Sequence, residues 1–165
     1  MRFICNRHQL VIAQDPFQAV QQFEHLKLSG LMAMEAQSWE LACRKLGAAY
    51  EISVLALQHE HDAVGSAEMI NNLLYSCHHL VICLSVLGHW TLVGEYLQLL
   101  LQHCETFLHP EQGRYRDVQA LQETVKVSFQ RMKLILTQNR DQRIAEVLEE
   151  LEEFIVMPGC QVMLH

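Results

Sequence analysis

The sequence predicts an all-α protein of six helices, arranged as three antiparallel αα-hairpins. Apolar residues recur at spacings of three and four along most of the 165 residues, which is the period of amphipathic helices. Only 3 prolines and 7 glycines interrupt them, too few for a turn-rich β-protein. Short and longer breaks alternate along the chain, and short breaks are typical of antiparallel helix pairs. We therefore expect one helical domain over residues 1–165.

The first hairpin is predicted over residues 15–58. Asp15 followed by Pro16 is a helix-start signal, because Asp is a favoured N-cap and Pro fits the first helical position. A short break at Gln37 ends this helix, and Ser38 is the expected N-cap of the second one. The two helices are therefore expected to pack as a tight antiparallel pair.

Two further hairpins are predicted over residues 66–108 and 115–157. Ser66 is the expected N-cap of the third helix, which a short break at Gly88 separates from the fourth. A similar short break at Asn139 separates the fifth helix from the sixth. The prediction of six helices depends on this third pair.

The short breaks recur at a constant interval of 51 residues, at Gln37, Gly88 and Asn139. The two tryptophans, Trp39 and Trp90, follow the first two breaks at the same distance. Helix pairs that recur at a fixed period are the signature of a helical-repeat array. Six amphipathic helices of similar length could produce the same interval in a bundle, so both architectures stay open.

The first two hairpins share a pattern: a glycine before the second helix, a tryptophan early in that helix, and then small or large apolar residues along it. The residues that carry it are Gly30, Trp39, Ala42, Leu46 and Ala49, followed by Gly88-x-Trp90-x-x-Val93-x-x-x-Leu97-x-x-Leu100. This pattern resembles the tetratricopeptide (TPR) repeat, with the period lengthened to 51 residues. The resemblance implies a TPR-like superhelical array and a scaffold that binds proteins or peptides rather than a catalyst.

The charge and hydropathy of the chain limit which kinds of partner it can bind and predict its cellular compartment. The net charge of −7 disfavours nucleic acid as a partner, since such binding needs a basic face. No Lys or Arg occurs between Lys45 and Arg114, so a basic or apolar protein or peptide is the expected partner. The apolar run Leu80–Leu87 is too short to span a membrane, and Arg7 interrupts the N-terminal apolar run. We expect a cytoplasmic protein that does not bind membranes.

The ends of the chain are apolar, although repeat arrays usually carry polar caps. The lead-in arm, residues 1–14, contains Phe3-Ile4-Cys5, and the tail, residues 158–165, contains Val162-Met163-Leu164. The arm's pattern leaves open a hairpin, an extended segment or irregular chain. These ends predict packing on a second copy, as a homodimer, or back onto the array.

The predicted binding groove is lined by the first helix of each pair. Its candidate residues are Phe23, Lys27, Met34, Tyr75, His78, His79, Ile82 and Lys133. The function predicted from this groove is non-enzymatic binding by a small adaptor, chaperone or regulator, and the sequence predicts neither a cofactor nor a catalytic residue. The alternative is a metal or ligand sensor that uses His78, His79 and Cys83, because His79 and Cys83 share one helix face.

Overall fold

Four helices make up the continuous described part of the chain. The computed structural model describes residues 3–5, 9, 15–59 and 63–108, together with six isolated residues of helical backbone: Val127, Gln130, Met132, Lys133, Glu146 and Glu149. The helices are α1 (Pro16–Glu35), α2 (Trp39–His59), α3 (Ala63–Val86) and α4 (Trp90–Leu108). The prediction of an all-α protein is confirmed for these residues.

Helix α1 begins where its sequence predicts. The Asp15 side chain accepts hydrogen bonds from the backbone N–H of Phe17 at 3.0 Å and of Gln18 at 3.2 Å. Pro16 occupies the first helical position, where its missing N–H costs no hydrogen bond. Together these residues satisfy the exposed amides at the start of the helix.

The turn between α1 and α2 has the same hydrogen-bond pattern as the turn between α3 and α4. Gln37 and Gly88 both have a positive φ, 57° and 74°. The next residue, Ser38 or His89, donates its N–H to the carbonyl five residues earlier, over 2.8 and 2.9 Å respectively. This is the Schellman motif, which ends a helix and reverses the chain. Because these turns lie 51 residues apart, the local structure recurs at the predicted interval.

Helices α2 and α4 each begin at a tryptophan, as their sequences predict. Trp39 and Trp90 are both partly buried, and both pack against the same hydrophobic core. The predicted position of the two tryptophans, at the start of the second helix of each hairpin, is confirmed.

Each helix packs against the next one in the chain, so α2 lies between α1 and α3. The larger core cluster joins α2, α3 and α4 through fully buried leucines such as Leu46, Leu73 and Leu97. Met132, one of the isolated described residues, is also buried in this cluster. A smaller cluster joins α1 to the other side of α2, and its buried members are Ala19, Phe23, Ala49 and Ile52.

The prediction of six helices in three hairpins is wrong, since the structure has four helices in two hairpins over the residues that it describes. Amphipathic periodicity specifies local helical backbone, and the isolated residues beyond 108 do have it. Periodicity does not specify that two such segments form bounded helices that pair. The predicted third pair (115–157) and the tail (158–165) lie outside the described residues, apart from those isolated positions.

The start of α3 also differs from its prediction. The helix begins at Ala63, so Ser66 lies within it and is not its N-cap. Ala63 and Val64 extend the helix towards its N-terminus, whereas the sequence predicts a loop over residues 59–65. The loop between the two hairpins is correspondingly shorter.

Helix α3 is also the most apolar part of the described fold. Its segment Glu68–Val86 is long and apolar enough to cross a membrane by length and composition, and 56% of it is buried inside the protein. Such burial is typical of the central helix of a helical bundle, which this helix is, between α2 and α4.

Candidate functional site

A groove of about 750 Å³ lies between α1 and α2. One face of each helix lines it, because residues three, four and seven apart stack along a helix. Residues 3–5 add a wall at its side. The lining residues are Phe3, Ile4, Cys5, Gln21, Gln22, His25, Leu26, Leu41, Arg44, Lys45, Ala48 and Ile52. A cavity of this volume is within the usual range for ligand sites in proteins.

The floor of this groove is apolar. Ala48 and Ile52 are buried on α2, and Leu26 lies opposite them on α1. Leu41, one helical turn before Lys45, keeps 41% of its surface exposed. Covering such apolar surface is favourable, so the floor can contribute to the binding of an apolar side chain.

Two cations stand on the α2 side of the groove, Arg44 and Lys45, and His25 faces them from α1. Neither cation has an ion pair among the described residues. In the same part of the chain, the other side of α1 carries an ion pair of 2.5 Å between Lys27 Nζ and Glu24 Oε1. The groove therefore presents positive charge that a carboxylate on a ligand could balance.

Two residues of α2 position the wall of the groove: Glu51, through its carboxylate, and Gly47, whose lack of a side chain leaves room for the Phe3 ring. The two carboxylate oxygens of Glu51 accept hydrogen bonds from the backbone N–H of Phe3 and of Ile4, each 2.8 Å long. The Phe3 ring packs over Gly47, where an added Cβ would overlap the ring atoms. It also lies 6.3 Å from the Tyr96 ring, between ring centroids. Residues 3–5 thus pack on α2 and beside Tyr96 of α4 within the same chain.

Four of the predicted binding residues form a cluster across α1 and α3: Lys27, Tyr75, His78 and His79. Lys27 Nζ lies 5.4 Å from the ring centroid of Phe23 and 5.6 Å from that of Tyr75, within the range of cation–π attraction. The centroid of the His79 ring lies 4.2 Å from that of Tyr75 and 5.1 Å from that of His78. The structure thus brings these first-helix residues together.

Burial dominates the titration of this cluster. It raises the pKa of Tyr75, which the Lys27 ammonium partly offsets. It lowers the pKa of His79, because the charged imidazolium is less well solvated there. A 2.9 Å hydrogen bond between His79 Nδ1 and the Tyr75 carbonyl opposes that shift, since it stabilises the protonated ring.

The other four predicted residues are buried or half-buried. Phe23 is 1% exposed and belongs to the smaller core, so it supports Lys27 from below and presents no surface to a partner. Met34 is half-buried against the larger core. Ile82 and Lys133 are half-buried too, and Lys133 is one of the isolated described residues. Large aromatic residues on a first helix are as often core as surface, which is why the pattern misplaced Phe23.

The arrangement of His78, His79 and Cys83 does not favour the alternative of a metal sensor. Cys83 is completely buried, and burial raises the pKa of its thiol to about 12, so the metal-binding thiolate is disfavoured. The described residues contain no group of three or more His, Cys, Asp or Glu side chains placed to hold a metal ion.

Comparisons with models of protein families, with characterised proteins and with solved structures find no match to this chain. The groove between α1 and α2 therefore has to be interpreted from its own chemistry.

The groove is the feature that the sequence prediction missed. The prediction placed binding on the first helices alone, whereas the second helix, α2, supplies five of the twelve residues that line this groove. A signal was present in the sequence, since Arg44 and Lys45 are the last basic residues before a long segment without any. They also share a helix face with Leu41, Ala48 and Ile52.

Proposed function

We propose that this chain is a non-enzymatic helical module that binds an apolar, acidic peptide segment of a partner protein in the groove between α1 and α2. The observation that carries the proposal is the combination of an apolar floor with two cations that have no ion pair among the described residues. The floor favours apolar side chains, and the cations favour carboxylates beside them.

The charge of the groove revises the partner chemistry expected from the sequence. A basic or apolar partner is predicted from the lack of Lys and Arg after Lys45. In this groove, Arg44 and Lys45 would repel a basic segment. We therefore keep the expectation of an apolar partner and replace the expectation of a basic partner by that of an acidic one. A homodimer and a cytoplasmic location stay predictions of the sequence.

Two buried cysteines, Cys43 and Cys83, are poorly suited to nucleophilic catalysis. Burial raises the pKa of the Cys43 thiol to about 11, and that of Cys83 to about 12. At neutral pH such thiols are protonated, and the protonated thiol is a poor nucleophile.

The test is selection from a displayed random-peptide library against the purified chain. Selected peptides should combine Leu, Ile, Val or Phe with Asp or Glu. Fluorescence anisotropy then measures the affinity of the best peptide and of a variant in which Lys replaces each acid. We expect the Lys variant to bind at least about tenfold more weakly, and higher salt to reduce that difference.

Two protein variants with the same change in charge locate the site. Lys45→Glu alters the groove, and Lys27→Glu alters the other flank of α1. Lys45→Glu should weaken the selected peptide about tenfold, whereas Lys27→Glu should change its affinity less than about twofold. Selection of basic peptides, or equal effects of the two variants, would place the binding site elsewhere or remove it.

A further inference from the structure

The segment Phe3–Cys5 is a strap across α2 that is held by its backbone and by one aromatic ring. Glu51 accepts both strap N–H groups at 2.8 Å, and hydrogen bonds to a charged acceptor are stronger than neutral ones. A single carboxylate therefore fixes two consecutive N–H groups of the strap, and the Cys5 carbonyl accepts a 3.1 Å hydrogen bond from the N–H of Gln9.

The Phe3 ring gives the strap a second anchor. Gly47 leaves a notch on the surface of α2, and the ring occupies it so closely that any Cβ there would overlap the ring. Tyr96 of α4 borders the same site, with its ring centroid 6.3 Å from that of Phe3. Burial and the negative charge of Glu51 both raise the pKa of Tyr96.

The strap residues that dock on α2 also line the groove: Phe3, Ile4 and Cys5 form its wall, while the carboxylate and the notch that hold them lie outside it. We propose that docking of the strap completes the groove, so that strap docking and peptide binding stabilise each other. This inference rests on the proposed function, because it concerns the regulation of the same groove. A ligand that contacts the docked wall favours the docked state, and by linkage the docked state binds the ligand more tightly.

The coupling can be broken without touching the groove lining. Gly47→Ala adds a Cβ that overlaps the Phe3 ring, while Ala is a better helix former than Gly in the middle of α2. The variant should therefore keep its helix and release the strap. Gly94→Ala is the matched control, because the added Cβ in α4 would meet nothing within 4 Å.

The experiment measures two quantities on the full chain: exchange of the Phe3 and Ile4 amides with solvent by NMR, and affinity for the peptide selected from the library. In Gly47→Ala, amide exchange should become at least about tenfold faster, and the peptide should bind about five- to tenfold more weakly. Gly94→Ala should change neither. In the wild-type chain, saturation with the peptide should slow exchange of the same two amides.

Glu51→Gln provides a second variant of unchanged size. It removes the charge and turns one acceptor into an amide donor that faces an N–H, so both readouts should move in the same direction as in Gly47→Ala. Faster exchange with unchanged peptide affinity in both variants would overturn the coupling and leave the proposed function standing. A wild-type chain that selects no peptide would overturn the proposed function, and the coupling with it.

Discussion

Among single residues, Tyr50 carries a buried hydroxyl that the described residues leave without a hydrogen-bond partner. Tyr50 is 3% exposed, and its hydroxyl has no hydrogen-bond partner among the described residues. Its ring packs edge-on against Tyr96, so the ring contributes to the core even though the hydroxyl does not. Leaving a buried hydroxyl unsatisfied costs about 1–3 kcal/mol. Tyr50→Phe should therefore raise the free energy of unfolding, measured in urea, by up to about 1 kcal/mol. A decrease of more than about 1 kcal/mol would instead show that the hydroxyl has a hydrogen-bond partner.

Leu97 is the residue that tests the apolar stripe predicted for α4. The sequence predicts that Leu97 is a core residue. It is completely buried in the larger core cluster, so that prediction is confirmed. Leu97→Ala should lower the free energy of unfolding by about 2–5 kcal/mol, because it removes buried methyl groups and leaves a cavity. Leu99→Ala, at a position that is 41% exposed on the same helix, is the matched control and should cost less than about 1 kcal/mol. Similar losses at both positions would mean that the stripe was assigned to the wrong face.

At the scale of the helix, two glycines give opposite predictions for the same substitution. A Cβ at Gly30 would lie 2.7 Å from Cγ of the buried Leu46, so Gly30 permits the close approach of α1 and α2. A Cβ at Gly94 would meet nothing within 4 Å. Gly94→Ala should raise the melting temperature, since Ala is favoured over Gly in a helix by about 1 kcal/mol. Gly30→Ala should lower it, because overpacking costs about 1–3 kcal/mol and exceeds that gain. Equal shifts in one direction would show that α1 can move away from α2.

The helix boundaries show which local sequence signals were sufficient to predict where a helix begins or ends. The Asp15-Pro16 cap and the chain reversals at Gln37 and Gly88 are short-range chemistry, and the helices begin and end beside them as predicted. Ser66 failed as a cap because Ser is tolerated inside a helix when the preceding residues can extend it. A capping residue therefore marks a helix start only where the residues before it cannot be helical.

At the scale of the whole molecule, the sequence predicts helical backbone better than it predicts which faces meet. The pattern placed Lys27, Tyr75, His78 and His79 on one surface, and they lie together. It could not place residues 3–5 on α2, because their docking depends on Glu51 and Gly47, more than 40 residues away in the chain. A wall built from such distant parts has no local period, so sequence reasoning could have found only the α2 side of the groove, from the helix face that carries Arg44 and Lys45.

The stability of the whole fold should depend on pH through two partly buried histidines. Burial lowers the pKa of both His79 and His103, whereas in the unfolded chain each titrates near about 6.5. As the pH falls below that value, the unfolded chain therefore binds more protons than the folded one, and stability is lost. The melting temperature, followed by circular dichroism, should fall between about pH 7.5 and pH 5.5. The double variant His79→Gln/His103→Gln should flatten this slope. A slope that persists in the double variant would assign the pH dependence to other groups.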